Sequence, residues 1–202
     1  MPTRLGRLVL PLLVALVGLQ GCQSVPAKPP TATSTCDFAV AVSTAERQLY
    51  QLLNRYRNSK GLPAVPLSLS LAHVARSHAR DLRVAKPQGA CSLHSWSRRG
   101  GWTACCYTLD HLLKECMWHK PRELTPYPGN GYEIAAFYEG AKRDGIAPQL
   151  ALHILQDSYE HNRVILNQGP WVSHPWASAG VGMSGSYAVA WFGEEHDPCG
   201  YF

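Results

Sequence analysis

Six cysteines in a chain that begins like an exported one constrain this sequence more than any other feature. With Cys22 set apart, they are Cys36, Cys91, Cys105, Cys106, Cys116 and Cys199. An even number in an exported chain reads as three disulfides. Cys105 and Cys106 are adjacent, and a bridge between them would be strained, so each is expected to take a different partner. The favoured arrangement joins Cys36 to Cys199, tying the ends of a domain together, with local bridges among Cys91, Cys105, Cys106 and Cys116. The alternative is a zinc–thiolate site, but the spacings contain no C-x-x-C pair.

The export reading comes from residues 1–22. Arg4 and Arg7 precede an apolar run from Leu8 to Leu19, the length of a signal peptide and too short for a typical membrane span. The run ends in L-Q-G-C at 19–22. This resembles a bacterial lipobox in which Gly21 precedes the cleaved bond and Cys22 carries the lipid. An ordinary cleaved signal with an incidental cysteine is the alternative. Gln23 and Ser24 follow, with no Asp resembling an inner-membrane retention signal. The resemblance therefore implies an outer-membrane lipoprotein, held to the membrane by its lipid anchor, and the alternative implies secretion. Residues 23–35 are rich in Pro, Ser and Thr and read as a tether. Residues 36–202 are enough for one domain with a proper core.

Charge excludes one class of partner. Of the 19 basic residues, Arg4 and Arg7 belong to the leader, which leaves 17 against 14 acidic and a net of +3. The basic residues are scattered, so no nucleic-acid partner is expected.

Along the domain, S-T-A-E at 43–46 has the form of a capping box. Leu49, Leu52, Leu53 and Tyr56 follow at helical spacing, and G-L-P at 61–63 ends that helix. L-S-L-S at 67–70 reads as a link. Leu71, Val74, Ala75, His78, Ala79 and Leu82 then mark a second helix, with His78 on its apolar stripe as a hydrogen-bonded structural histidine. Residues 86–130 have little period and read as an irregular region ordered by disulfides. Trp96, Trp102, Tyr107 and Trp118 lie in it, as core packing or as the wall of a groove. G-Y-E-I-A-A-F-Y-E-G at 131–140 reads as a helix with Glu133 in its first turn, favoured there by the helix dipole. A third long helix is expected from Pro148 to Leu166, placing His153, Asp157 and His161 on one face. Two short alternating runs at 177–183 and 186–193 surround S-G-S at 184–186 and read as a hairpin. Helices first and a strand pair last fit the α+β class.

Three segments carry the candidate chemistry: C-S-L-H-S-W at 91–96, N-G-Y-E-I-A at 130–135 and S-Y-E-H-N-R at 158–163. Each supplies one candidate, namely His94, Glu133 and His161. Two imidazoles and a carboxylate from distant segments could hold a divalent ion or move protons. No G-x-S-x-G or H-E-x-x-H motif is present. Ser95 beside His94 does not make a triad, because no third member is specified.

The order of these segments resembles the CAP superfamily of cysteine-rich secretory, antigen 5 and pathogenesis-related 1 proteins (the SCP domain). The resemblance runs from Leu49 to Gly193. It rests on Leu53, Asn54 and Arg57 followed by G-L-P, on P-L-S-L-S-L-A-H-V-A-R-S-H-A-R-D-L at 66–82, and on H-S-W at 94–96. G-Y-E-I-A at 131–135, S-Y-E-H-N-R-V-I-L-N at 158–167, and A-G-V-G-M before Y-A-V-A-W-F-G complete it. It implies a three-layer α-β-α sandwich stapled by disulfides, with a cleft that holds His94, Glu133 and His161. The family's second acidic position falls near Ser158, with Asp157 and Glu160 as neighbours, and the tryptophan usually before it is replaced by Leu155. The resemblance further implies zinc or another divalent ion on His94 and His161. It leaves three functions open. The first is a binding module for a metal and a lipid, glycan or peptide of the envelope. The second is a metal-assisted, peptidase-like hydrolase in which His94, Glu133 and His161 would be catalytic. The third is a structural envelope protein with a vestigial cleft. Binding is favoured over catalysis because the second acid is missing.

Overall fold

The computed structural model describes residues 35–38, 40–141 and 143–202. The leader with Cys22 and all but the last residue of the tether lie outside the described residues. The elements are α1 (Thr44–Ser59), α2 (Leu69–Val84), α3 (Glu115–Trp118), α4 (Lys120–Leu124), β1 (Tyr132–Phe137), α5 (Pro148–Asp157), α6 (Tyr159–Ile165), a 3-10 turn (Gly169–Trp171), β2 (Ser178–Ser184) and β3 (Tyr187–Gly193).

The first helix starts as its sequence dictates. Ser43 Oγ accepts from the Glu46 N–H, and Glu46 Oε2 accepts from the Ser43 N–H at 2.7 Å. Asn54 and Arg57 within this helix have a structural use. Asn54 pairs with both backbone groups of Val65. Arg57 is buried and donates to Pro63 O, Ile165 O and Asn167 Oδ1, tying the chain after α1 to the end of α6. The second helix begins inside L-S-L-S, because Ser68 Oγ accepts from the Leu71 N–H and caps it.

The segment 131–140 is not a helix. Residues Tyr132–Phe137 form an edge strand that pairs antiparallel with β3, from Tyr132 opposite Phe192 to Phe137 opposite Tyr187. Glu, Ala and Ala favour a helix locally, but pairing with the buried central strand overrides so weak a preference. The period-2 pattern is present: Tyr132, Ile134 and Ala136 join one apolar core, while Ala135 joins the other. The hairpin forms as expected, with β2 antiparallel to β3 and Gly185 in the left-handed region at φ 57°. The sheet order is β1-β3-β2.

Strand β3 is buried on both faces, and its alternating side chains enter two different cores. Ala188, Ala190 and Phe192 pack with Leu49 and Leu53 of α1, Leu152 and Leu155 of α5, and Ile165 of α6. Val189 and Trp191 pack with Leu71, Val74 and Leu82 of α2. Helices therefore cover each face of the sheet, the α+β arrangement that the resemblance implies. The α2 backbone lies directly on β2. A Cβ on Gly180 would stand 2.1 Å from the Leu71 carbonyl carbon, and one on Gly182 would stand 2.3 Å from that of Ala75.

The helix expected from Pro148 to Leu166 is two helices. Ser158 has an extended backbone (φ −77°, ψ 114°) and its Oγ accepts from the His161 N–H at 3.4 Å, capping α6. The break dissolves the shared face. His153 and Asp157 pair with each other at the surface, 3.3 Å apart, while His161 turns inward.

The cysteines pair as Cys36–Cys199, Cys91–Cys106 and Cys105–Cys116. The two local bridges span the irregular region expected at 86–130, where regular structure among the described residues is limited to α3 and α4. Asp81 of α2 holds that region to the scaffold by accepting from Ser97 N and Ser97 Oγ.

Candidate functional site

The site is built around Glu133. On β1 it points away from the core that receives Tyr132 and Ile134, and it is only 5 % exposed. The helix-dipole explanation for this carboxylate therefore falls, because it stands on a strand. Its Oε2 meets His78 Nδ1, and its Oε1 meets His94 Nδ1 at 2.8 Å. Burial pushes the Glu133 carboxyl up, but the two histidines more than offset this and hold it below its ordinary value. Glu133 is thus a carboxylate sealed between two imidazoles.

His78 is fully buried. Its Nε2 lies 3.0 Å from the Ser95 carbonyl oxygen, so both ring nitrogens face oxygen atoms. Trp96 stacks on the ring, with centroids 4.3 Å apart and planes 8° apart. His78 therefore holds Glu133 with one nitrogen and the loop that carries His94 with the other. The sequence reading of a hydrogen-bonded structural histidine is correct but incomplete, since its partner is the site's carboxylate. The available signal was a histidine on an otherwise apolar helical stripe, which demands a buried partner.

His94 comes from the stapled region and sits partly exposed beside Tyr107, whose ring meets it edge-on at 5.2 Å. With its Nδ1 bonded to Glu133, its Nε2 is the nitrogen left for a ligand. His161, from the first turn of α6, faces His94 edge-on with ring centroids 5.7 Å apart. Burial and then repulsion from His94 push the His161 imidazolium down to about 4, against a weaker opposing pull from Glu133. At neutral pH its ring is uncharged. Its Nδ1 is buried with no hydrogen-bond partner among the described residues.

The second acid does not arrive. Ser158 is occupied in capping α6, Asp157 pairs with His153, and Glu160 lies exposed and pairs with Arg163 at 3.5 Å. Among the described residues, no three His, Cys, Asp or Glu side chains gather as a metal-holding group. What fits an ion is narrower: two imidazoles, His94 and His161. With Zn–N near 2.1 Å and roughly 1.2 Å from nitrogen to ring centre, two rings on one tetrahedral ion stand about 5–6 Å apart. The His94–His161 spacing matches this, with Glu133 behind one ligand rather than being a ligand itself. Ser95 is no nucleophile, since its Oγ is 8 % exposed with its residue and bonds to the Tyr107 backbone.

No family model and no curated protein matches the chain. Solved structures do. An outer surface protein from Borrelia burgdorferi is similar at 14% identity and a TM-score of 0.51, over 78% of this chain and 97% of that one. An extracellular protein containing an SCP domain from Bacillus anthracis is similar at 19% identity and a TM-score of 0.49, over 75% of this chain and 40% of that one. A cysteine-rich secretory protein from Staphylococcus aureus is similar at 18% identity and a TM-score of 0.47, over 78% and 42%. This chain thus spans about two fifths of the length of the Bacillus and Staphylococcus proteins and nearly all of the Borrelia one.

The chain shares its fold with the Borrelia outer surface protein. A fold shared at such identity leaves the activity to be argued from the site.

Proposed function

We propose that this protein is a CAP-type binding module of the bacterial cell envelope, tethered through Cys22, whose cleft holds a divalent cation on His94 and His161. One observation carries the reading: both oxygens of a buried, ionised Glu133 are taken by imidazole nitrogens. A carboxylate so occupied orients His94 and sets its tautomer, standing behind a ligand and not as one. Two imidazole ligands without a third protein donor fall short of the three that catalytic zinc sites use, which favours binding over turnover. The remaining coordination positions would be open to a ligand of the envelope, whether lipid, glycan or peptide.

Elemental analysis and calorimetric titration of the purified chain with zinc test this. The wild type is expected to bind one equivalent, and the His94→Ala, His161→Ala variant none. Glu133→Gln is expected to weaken binding by about 10- to 100-fold, the usual effect of removing a carboxylate behind a ligating histidine. Unchanged zinc uptake in the folded double variant would sink the reading.

Metal-assisted hydrolysis has one observation in its favour. The Glu133–His94 pair is oriented as an acid–base histidine requires, with its outer nitrogen free. That reading expects turnover on a panel of peptides and esters with zinc supplied, lost in His94→Ala. A panel with no turnover in zinc-loaded protein removes it.

A further inference from the structure

The chain from Thr108 to Lys114 makes a tip on the stapled region, and its turn is set locally. Asp110 Oδ1 accepts from Thr108 Oγ1 and, at 3.1 Å, from the Leu112 N–H. His111 adopts a positive φ of 59°, and its Nδ1 lies 2.8 Å from the Tyr107 hydroxyl. Below the tip, Cys105 is bridged to Cys116 and Cys106 to Cys91. Two covalent closures at its base hold the tip outward instead of letting it collapse onto the core.

What the tip presents is apolar. Leu109 and Leu112 are each 80 % exposed, and Leu113 is 54 % exposed. Single exposed leucines need no explanation, but three within five residues on a stapled turn form a patch. The surrounding segment is basic. Lys86, Arg98, Arg99, Lys114 and Arg122 are exposed, against exposed Asp110 and Glu115.

We infer that this tip is a membrane-contact element, seating Leu109, Leu112 and Leu113 in the interfacial layer of an anionic bilayer. Exposed apolar side chains in a segment whose exposed charges are mostly basic complement such a surface. The tip is a projection, not a groove for a peptide. Three leucines offer on the order of half the roughly 800 Å² per partner that a stable dimer buries, so a second copy is the poorer occupant. Tyr107 touches His111 of the tip and His94 of the site, with ring centroids 5.7 and 5.2 Å apart, so one ring joins the tip to the site. This inference stands apart from the metal reading.

Hydrogen exchange on the full chain, bound to vesicles of phosphatidylglycerol and phosphatidylcholine, tests it with a readout local to the tip. That readout separates the tip from any membrane contact made by the N-terminus. Amides at 109–113 are expected to slow by about tenfold on these vesicles, and not in the Leu109→Ser, Leu112→Ser, Leu113→Ser variant. That variant is expected to keep wild-type exchange elsewhere, because the side chains removed are solvent-facing. Unchanged exchange at the tip of vesicle-bound wild type overturns the inference. So does slowing without vesicles that grows with protein concentration, which would make a second copy the occupant. Equal slowing on phosphatidylcholine alone overturns the anionic surface.

Discussion

The sheet with its covering helices and the stapled region from 86 to 118 are ordered by different physics. The sheet region is held by interdigitation: β3 sends alternate side chains into two cores, and α2 sits so close to β2 that only glycine fits at 180 and 182. The stapled region has little regular structure and is held by two disulfides and by Asp81 gripping Ser97. The candidate site lies where the two meet. Glu133 and His78 come from the packed scaffold, and His94 comes from the stapled loop. A carboxylate can be kept buried and ionised only by a rigid scaffold, whereas a loop can present one imidazole to solvent.

Three outcomes break or sharpen that contrast. The largest belongs to the scaffold. Gly180→Ala forces a Cβ onto the Leu71 backbone, which cannot move without the whole of α2, so a loss of about 3 kcal/mol is expected. Urea denaturation measures it, and a loss under about 1 kcal/mol would mean that helix and sheet are not in rigid contact. A somewhat smaller and local effect is expected from Cys105→Ser with Cys116→Ser. Opening that short loop removes about 2–3 kcal/mol of chain-entropy stabilisation. Amide exchange is expected to rise across 86–118 while β1 and β3 stay protected. Equal loss of protection in the strands would show that the two regions unfold as one.

The smallest effect lies at the junction and depends on pH. His161 titrates near 4 in the folded chain and near 6.5 unfolded. The unfolded chain thus takes up this proton first, and protonation favours unfolding. The contribution of the neutral ring in the metal-free protein is whole above about pH 6.5 and is lost as pH falls toward 4. His161→Gln is expected to flatten that part of the stability profile. An unchanged profile would mean that His161 is solvated in solution.

Legibility followed the same division. Helices α1 and α2 were readable because apolar period and capping chemistry coincide, as at Ser43 and Glu46. The hairpin was readable from two alternating runs around a glycine turn. Strand β1 was not, because Y-E-I-A-A-F holds helix formers and its alternation is weighed only once β3 lies beside it. The break at Ser158 was hidden because a serine inside an i, i+4 pattern is also a good helix cap, and spacing does not distinguish the two. His94, Glu133 and His161 were each identified, and the structure brings them together. His78 was placed in the core, but its bond to Glu133 was invisible while 131–140 was read as a helix.

By itself, the sequence determined what local chemistry can determine: where capped helices begin, where a glycine turn folds back, that adjacent cysteines must part, and which histidines stand outside simple amphipathic patterns. Only the tertiary structure decided that Glu133 belongs to a strand, that each of its oxygens meets an imidazole, and that neither Asp157 nor Glu160 joins it. Strand identity requires a partner, and the ionisation and reach of a buried group depend on what covers it. Both come from residues far away in the chain.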